Sequence, residues 1–213
     1  KGEPLGQLLV SGQQPGHDKP QDIQFFEDAV ILASIAVERD QADQLIWKKA
    51  NYDSLTGLPN RNLLRERLGQ ELNKARRQKL QLALLFIDLD HFKQVNDTLG
   101  HQKGDELLAR VGERLGQCMR DSDTIARLGG DEFTVIAVEL NNRSAVEKIA
   151  DKVINELSRE FKLEEESIYL SASIGIAFYP DHGDDMDQLI RSADSAMYDA
   201  KNSGKNRFSY FSK

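Results

Sequence analysis

The sequence is short of cysteine and of long apolar segments, and each shortage excludes a class of protein. One cysteine, Cys118, occurs in 213 residues, so no disulfide forms within the chain and an oxidised secreted scaffold is excluded. The longest uncharged apolar run, from Ala29 to Val37, is far shorter than the ~20 residues that a membrane span needs. The first residues do not have the pattern of a signal peptide, so we expect none. We therefore expect a cytoplasmic location and no membrane span.

A surplus of positive charge is also missing. Lys and Arg number 28 against 35 Asp and Glu, a net charge of −7, which argues against a general nucleic-acid binder. A polyphosphate ligand would then need a cation or a local basic patch. Hydrophobic residues make up 39% of the chain, which suits a globular core. The length allows one domain, or one domain with part of another.

The composition changes near residue 50. Residues 1–20 are rich in Gly, Gln and Pro around one apolar run, Leu8 to Val10, which predicts a strand followed by a loop. Residues 21–50 contain no Gly or Pro, and apolar side chains recur there at spacings of three and four, which predicts an amphipathic helix. At ~1.5 Å per residue this helix is about 45 Å long, which favours a stalk between two domains.

Residues 51–213 alternate between strand and helix patterns. The periodicity predicts helices over 60–78, 101–119, 144–161 and 187–203. It predicts strands over 82–87, 124–128, 133–138, 168–179 and 207–211. The order β-α-β-β-α-β is typical of the ferredoxin-like arrangement, an α+β fold in the broad α/β class, with helices on one face of a largely antiparallel sheet.

Two acidic segments are predicted to meet in this fold. The buried strand 82–87 leads directly into Asp88 and Asp90, and a predicted hairpin has the sequence Gly129-Gly130-Asp131-Glu132-Phe133. Carboxylates that converge repel one another unless a cation neutralises them, and oxygen ligands favour Mg²⁺ or Mn²⁺. The two glycines permit a type I′ turn and leave room for a phosphate or ribose. A strand cap and a solvated turn are the structural alternatives.

The hairpin sequence resembles the signature of the GGDEF family, the diguanylate cyclases. Five further motifs of that family occur in the expected order, so the resemblance covers about residues 51–211. The six are Asp53 to Arg61, Phe86 to Lys93, Asn96 to His101 with Gly104 and Asp105, Gly129 to Phe133, Ser173 to Ala177, and Ala193 to Lys201. The resemblance implies a nucleotidyl-cyclase-like domain over residues 51–213, preceded by a long signalling helix.

The resemblance also implies metal-binding and catalytic residues. Asp88 binds metal through its carboxylate and Leu89 through its backbone carbonyl. Asp131 binds metal and acts as the base, and Glu132 completes a site for two Mg²⁺ or Mn²⁺ ions. Asp131, Glu132 and Lys93 are therefore the expected catalytic residues.

The substrate implied by the resemblance is GTP. Asn96 and Asp105 face the guanine, Lys93 and the adjacent backbone hold phosphate, and Lys201 and Lys205 flank the triphosphate. The family more often has Arg at position 205, and Lys lacks its bidentate fork, so a modest loss of GTP affinity is expected. The expected substrate-binding set is Phe92, Lys93, Asn96, His101, Asp105, Gly129, Gly130, Lys201 and Lys205. His101 is as readily a structural hydrogen-bonding residue.

The implied reaction joins two GTP into cyclic di-GMP with release of two pyrophosphates. One such domain holds one GTP, so a homodimer with facing half-sites is expected, with the helix at 21–50 setting their distance. A different class remains open: a catalytically silent GGDEF module that binds GTP or cyclic di-GMP and regulates an attached or partner domain. The presence of all the expected acidic and basic site residues favours the enzyme.

Two further segments resemble known elements. Arg120 and Asp123 match the RxxD product-inhibition site of the family, with a surface ion pair as the alternative. Residues 1–50 resemble the last strand and helix of a GAF sensor domain, which predicts that this is a fragment of a longer signalling protein. The apolar stripe from Phe26 to Val37 then packs either on the rest of that sensor or on a partner chain.

Overall fold

The computed structural model describes residues 20–140 and 142–212, with side chains from Glu27 onward. The chain divides into two compact units, residues 1–50 and 51–213. The predicted strand at Leu8 to Val10, with most of the GAF-like segment before the helix, lies outside the described residues.

The first unit is described by helix α1, Pro20–Asn51, which covers the predicted helix. No helix in the described part of the chain is both long and apolar enough to cross a bilayer. Large apolar side chains are nevertheless exposed along α1, namely Val30, Ile31, Leu32, Ile35, Val37, Leu45, Ile46 and Trp47.

The second unit contains five helices and seven strands within its described residues. Its helices are α2 Arg61–Gln78, α3 Phe92–Leu99, α4 His101–Cys118, α5 Arg143–Leu157 and α6 Met186–Asn202. Its strands are β1 Leu82–Asp90, β2 Thr124–Gly129, β3 Glu132–Ala137, β4 Phe161–Leu163, β5 Glu166–Ile168, β6 Ser171–Tyr179 and β7 Arg207–Tyr210.

Five strands form one sheet in the order β2-β3-β1-β6-β7, and β4 and β5 form a separate two-stranded sheet. Within the larger sheet β6 and β7 are parallel, and every other pair is antiparallel. The four neighbouring strands β2, β3, β1 and β6 reproduce the ferredoxin-like order, so the predicted α+β class is confirmed. β7 adds a fifth strand at the edge.

The prediction that helices cover one face of the sheet is wrong, because both faces of β1 are buried. Ala83, Leu85 and Ile87 join a core with α4 and α5, whereas Leu84 and Phe86 join a second core with α2 and α6. All nine residues of β1 are buried. Its continuous apolar sequence reflects this two-sided burial.

The remaining differences from the predicted elements are local. β1 extends three residues further, to Asp90, and α3 occupies a segment with no predicted helix, since eight mostly polar residues are too few for a clear period. The helix predicted to residue 161 ends at Leu157, because Phe161 is buried as the first residue of β4. The predicted strand 168–179 is divided between β5 and β6.

A glycine in β6 lets α6 lie directly on the sheet. A Cβ built on Gly175 would be 1.9 Å from the carbonyl oxygen of Ala193 and 2.1 Å from the backbone nitrogen of Met197. Both contacts are with backbone atoms of α6, which cannot rotate aside as a flexible side chain could. The position of α6 against the sheet therefore depends on Gly175 having no side chain.

We predict that Gly175→Ala lowers the free energy of unfolding by about 1–3 kcal/mol or more, because α6 must move away from the sheet. Gly116→Ala is the matched control, since a Cβ on that glycine of α4 would contact nothing within 4 Å. The control should be neutral or stabilising by about 0.5–1 kcal/mol. Urea denaturation measures both, and equal effects would contradict the close-approach argument.

Candidate functional site

The central strand and its neighbour bring three acidic residues to one edge of the sheet. Asp88, near the end of β1, lies opposite Glu132 of β3 and opposite Ser173 of β6 in the antiparallel registers. Asp131 lies in the turn before β3, and its carbonyl oxygen accepts a hydrogen bond of 3.3 Å from the Leu89 N–H. The four residues expected to bind metal are therefore neighbours.

The acidic residues at this edge of the sheet carry negative charge that a bound cation would stabilise. Only 6% of Asp88 is exposed, and its Oδ1 lies 2.7 Å from Nζ of Lys201 in α6. Burial raises the pKa of Asp88 to about 6, aided by the charges of Asp131 and Glu132 and opposed by Lys201. Burial also raises the pKa of Glu132, and the nearby Asp194 raises it further. The Lys201 ammonium balances only part of this negative charge.

The donor set fits a hard divalent ion. Carboxylate and backbone carbonyl oxygens are the ligands that Mg²⁺ and Mn²⁺ prefer. Among the described residues, no three His, Cys, Asp or Glu side chains already stand together as a metal centre. Asp88 instead has the Lys201 ammonium as its cation. A buried carboxylate that already attracts a cation, with two more acids beside it, has the chemistry that such an ion requires.

The hairpin turns one residue later than predicted. Gly129 pairs with Glu132, so the turn is formed by Gly130 and Asp131, and β3 begins at Glu132. Gly129 and Gly130 have φ values of 140° and 53°, but Asp131 has no positive φ, so the predicted type I′ turn does not form. A Cβ on either glycine would contact nothing within 4 Å, so backbone conformation rather than space favours glycine.

Arg127 of β2 is hydrogen-bonded to the tip of this hairpin. Its Nε and Nη2 donate to the carbonyl oxygen of Gly130 at 3.0 and 2.7 Å. Its Nη1 donates to both carboxylate oxygens of Asp53, at 2.9 and 3.0 Å. Burial alone would raise the pKa of Asp53, but hydrogen bonds from Thr56 and Arg127 hold it below its usual value.

The residues expected to read guanine lie on α3 and α4. A Cβ on Gly104 would be 1.8 Å from Oδ1 of Asn96, so these two helices meet closely beside Asp105. Oδ1 of Asn96 is buried and has no hydrogen-bond partner among the residues that the structure describes. An acceptor in this condition suits a donor from a ligand. Asp105 is exposed.

The other expected substrate contacts differ in accessibility. His101, the first residue of α4, is exposed, and Lys93 is exposed on the first turn of α3. Phe92 is buried in the core, so its ring is not exposed for contact with a ligand. Nζ of Lys205 lies 3.1 Å from Nε2 of His91, beside the turn after β1.

Asp90 has a structural role, as the sequence indicates. It is 2% exposed, and its carboxylate accepts hydrogen bonds from Ser171, Ser173 and the Asn206 N–H, at 2.6 to 3.1 Å. These bonds tie the end of β1 to β6 and to the loop before β7.

The RxxD residues lie at the opposite end of β2 from the hairpin. The Asp123 carboxylate accepts from the backbone N–H groups of Arg120, at 3.1 Å, and Val138, at 3.4 Å. Their two side chains, both in the described part of the chain, form no ion pair. Six residues of β2 separate the two regions by about 20 Å.

Comparison with known proteins agrees with this arrangement. A family profile described as "Diguanylate cyclase, GGDEF domain" matches residues 50–207. The chain belongs to the GGDEF family. It is 42% identical over 183 residues to the bifunctional diguanylate cyclase/cyclic di-GMP phosphodiesterase MucR of Pseudomonas aeruginosa. That match covers 86% of this chain but only 26% of MucR, so the chain spans about a quarter of that relative.

Two solved GGDEF structures are similar over most of the chain. The first is a truncated TpbB (YfiN) from Pseudomonas aeruginosa that comprises only the GGDEF domain. It has a TM-score of 0.74 and 41% identity, and covers 76% of this chain and 94% of its own. The second is the coiled coil and GGDEF domain of DgcB from Caulobacter crescentus in complex with c-di-GMP, with a TM-score of 0.77 and 28% identity. It covers 87% of this chain and 98% of its own.

Sequence reasoning missed three residues of this GGDEF site. Arg127 was given no role, although it lies two residues before the signature and its charge in a buried strand is a signal. Arg61 and Asp194 belong to recognised motifs, but their electrostatic effect on Glu132 appears only in the fold. Arg61 lowers the pKa of Glu132, whereas Asp194 raises it.

We predict that Asp88→Asn stabilises the metal-free protein in a pH-dependent way. The folded state binds a proton at Asp88 more tightly than the unfolded chain between the usual pKa of 3.8 and about 6, so the wild type loses stability as the pH rises through that window. The Asp88→Asn variant has no charge at this position, so its stability does not fall in this way. Its stability relative to wild type should rise up to about pH 6 and then level off.

Urea denaturation in EDTA at about pH 4, 5, 6 and 7 measures this difference. A stability difference that is the same at every pH would show that charge at Asp88 does not destabilise the folded state.

Proposed function

We propose that the chain carries an active diguanylate cyclase domain that condenses two GTP into cyclic di-GMP and two pyrophosphates. The observation that carries the proposal is the convergence of Asp88, Asp131 and Glu132 at one sheet edge, with Lys201 on Asp88. The unpartnered Oδ1 of Asn96 supports a base site between α3 and α4. The family membership, and the relatives named as diguanylate cyclases, agree with both.

In the proposed reaction, the ribose 3′-oxygen of one GTP attacks the α-phosphorus of the other. The bond from that phosphorus to the leaving pyrophosphate breaks, and Asp131 takes the 3′-hydroxyl proton. The reciprocal attack, by the 3′-oxygen of the second nucleotide on the α-phosphorus of the first, closes the ring and releases the second pyrophosphate. Two Mg²⁺ or Mn²⁺ ions per site would activate the nucleophile and neutralise the leaving oxygens when bound. Asp88, the Leu89 carbonyl, Asp131 and Glu132 hold them.

The remaining site residues bind and orient the nucleotide. Asn96 and Asp105 accept from guanine N1–H and N2–H, which adenine does not present. Lys93 and the backbone at Phe92 hold phosphate, and His101 closes the base site. Lys201, which lies beside Asp88, and Lys205 would neutralise the triphosphate. The glycines Gly129 and Gly130 let the ribose approach the hairpin.

A homodimer is part of this proposal, because each domain supplies one half-site. The exposed apolar side chains of α1 support pairing with a second copy, which would set the distance between half-sites. Residues 1–50 are proposed to be the end of a GAF-type sensor followed by this helix, with the GGDEF domain at 51–213. Packing of the same apolar stripe on the remainder of the sensor is the alternative. A reducing cytosol remains the proposed compartment.

The second candidate is a silent GGDEF module that binds GTP or cyclic di-GMP and regulates another domain. It is favoured by one observation: the relative MucR is named for both a cyclase and a phosphodiesterase, and this chain spans only 26% of it. In that case the nucleotide would bind without turnover.

We predict that wild-type protein with GTP and Mg²⁺ makes cyclic di-GMP and that Asp131→Asn abolishes synthesis without unfolding the domain. The amide cannot take the proton and is a poorer ligand for a hard cation. Asp151→Asn, an exposed position on α5, is the matched control and should keep wild-type turnover. Chromatographic product analysis and circular dichroism measure the two properties.

Wild-type turnover by folded Asp131→Asn would remove the catalytic assignment. GTP binding by the wild type without product would favour the silent module.

We propose further that cyclic di-GMP inhibits synthesis at Arg120 and Asp123, away from the catalytic carboxylates. An arginine can contact guanine O6 and N7 in a bidentate manner. Because Asp123 bonds the backbone N–H of Arg120 and not its side chain, the Arg120 guanidinium can bind product without first breaking an ion pair with Asp123. The separation of about 20 Å along β2 allows the two sites to be tested independently.

We predict that Arg120→Ala continues synthesis under conditions in which wild-type synthesis stalls. Progress curves with pyrophosphate removed, with and without added cyclic di-GMP, measure this. Arg110→Ala, an exposed arginine on α4, is the control and should stall like wild type. Equal slowing of Arg120→Ala and wild type would place inhibition at the active site, and slowing of neither would leave the motif without a regulatory role.

A further inference from the structure

The interactions of Arg127 extend beyond those of an ordinary ion pair. Its side chain is 9% exposed, and its three guanidinium nitrogens donate to the Gly130 carbonyl and the Asp53 carboxylate. Its backbone N–H donates to the carbonyl of Pro59 at 2.9 Å. We call the set of Asp53, Arg127 and the Gly130 carbonyl the tip clamp.

We propose that the tip clamp positions Asp131 for the reaction, and that Arg127 and Asp53 are positioning residues of this domain. The inference rests on the proposed cyclase function and assigns a role to two residues that do not themselves touch the substrate. Its basis is the way in which the two peptide groups that flank Asp131 are held.

Both peptide groups on either side of the Asp131 Cα are fixed by hydrogen bonds. The carbonyl before it, that of Gly130, accepts two bonds from Arg127. The carbonyl after it, that of Asp131 itself, accepts from Leu89 of β1. Because each peptide group is planar, these bonds restrict the direction in which the Asp131 side chain leaves the backbone. Gly130, with φ of 53°, offers little resistance to rotation without them.

Asp53 keeps the guanidinium in place. A buried arginine without an anion is costly, and Nη1 of Arg127 donates to both Asp53 oxygens while Nε and Nη2 bond the Gly130 carbonyl, so all three nitrogens of the guanidinium are held. Oδ1 of Asp53 also accepts hydrogen bonds from the N–H and the hydroxyl of Thr56, at 2.9 and 2.7 Å, so the carboxylate is itself held in place. The hairpin tip is thus connected to the segment 53–59, which follows α1 in the chain.

A structural role alone would also explain a buried ion pair, and the chain contains a comparison residue. Arg114 donates to three backbone carbonyls, those of Glu156, Arg159 and Glu160, at 2.8 to 2.9 Å. Its guanidinium carbon also lies 3.5 Å from the ring centre of Phe161. Arg114→Lys therefore removes guanidinium–carbonyl bonds, as Arg127→Lys does, but at the junction of α4, α5 and β4.

The experiment compares Arg127→Lys with Arg114→Lys in the whole chain. Steady-state kinetics give kcat and KM for GTP, and calorimetry gives the affinity for 3′-deoxy-GTP with Mg²⁺, a nucleotide that lacks the attacking hydroxyl. Hydrogen exchange reports the backbone amides of residues 129–132. Circular dichroism confirms that both variants are folded at the assay temperature.

We expect Arg127→Lys to lower kcat by about 10- to 100-fold, the range expected for a small misplacement of a reacting group. KM and the affinity for 3′-deoxy-GTP should change by less than about threefold, because ground-state binding is retained. Exchange at residues 129–132 should accelerate by about tenfold. Arg114→Lys should leave kcat, KM, the affinity for 3′-deoxy-GTP and the exchange at residues 129–132 unchanged.

A double-mutant cycle tests whether Asp53 acts through Arg127. Asp53→Asn should lower kcat like Arg127→Lys, and the double variant should be no slower than the worse single variant, because both changes disable one clamp. Additive losses would overturn the assignment of Asp53.

Unchanged exchange at the tip in Arg127→Lys, or equal kinetic losses in Arg127→Lys and Arg114→Lys, would overturn the proposal. A wild type that neither binds 3′-deoxy-GTP nor makes product would be a failure of the proposed function. In that event the exchange comparison still decides whether Arg127 holds the tip.

Discussion

Repulsion among Asp88, Asp131 and Glu132 is the constraint on which the rest of the site depends. The antiparallel register of β1 and β3 places these acids together, and burial of β1 on both faces removes much of the water that would screen them. Burial raises the pKa of both Asp88 and Glu132, and the charges of the neighbouring acids raise them further. A site of this kind persists only if neighbouring elements supply positive charge and hold the backbone against relaxation.

Helix α6 supplies that charge because it can approach the sheet closely. The missing side chain of Gly175 allows the backbone of α6 to lie against β6, and Lys201, about one turn beyond Met197 in the helix, reaches Asp88. The same face of α6 carries Asp194, which acts on Glu132 in the opposite sense. The close packing at Gly175 thus determines the positions of both Lys201 and Asp194 at the site.

Much of the fold could be predicted from the sequence, because its signals are local. The apolar run of β1, the helical period that begins at Asn60 and the two glycines before Asp131 each act within a few residues, and a strand, a helix and a hairpin are present there, although the hairpin turn lies one residue later than predicted. The second helix layer was not predicted, since a continuous apolar strand does not reveal which helices cover each face. Helix α3 was missed because eight residues span barely two turns.

Some residues of the site could likewise be predicted from the sequence, and others could not. Motif residues such as Asp88 and Asn96 could be placed on their elements from the order of strands and helices. The pairing of Arg127 with Asp53 could not, because 74 positions separate them and neither residue carries a local signal for the other. Their contact follows from the position of segment 53–59 beside β2, where the Arg127 N–H meets the Pro59 carbonyl.

Strand β2 consequently connects three features within a few residues. Asp123 immediately precedes it, Arg127 lies within it, and Gly129 ends it at the hairpin. From Thr124 to Arg127 this strand pairs continuously with β3, and its register shifts between Arg127 and Gly129. A segment paired in this way transmits displacement better than a loop does, because its hydrogen bonds move together. A ligand that shifted the start of β2 would therefore alter the position of Arg127 as well. On this argument the tip clamp is the point at which restraint from segment 53–59 and displacement from the RxxD end of β2 act on the same carbonyl, that of Gly130.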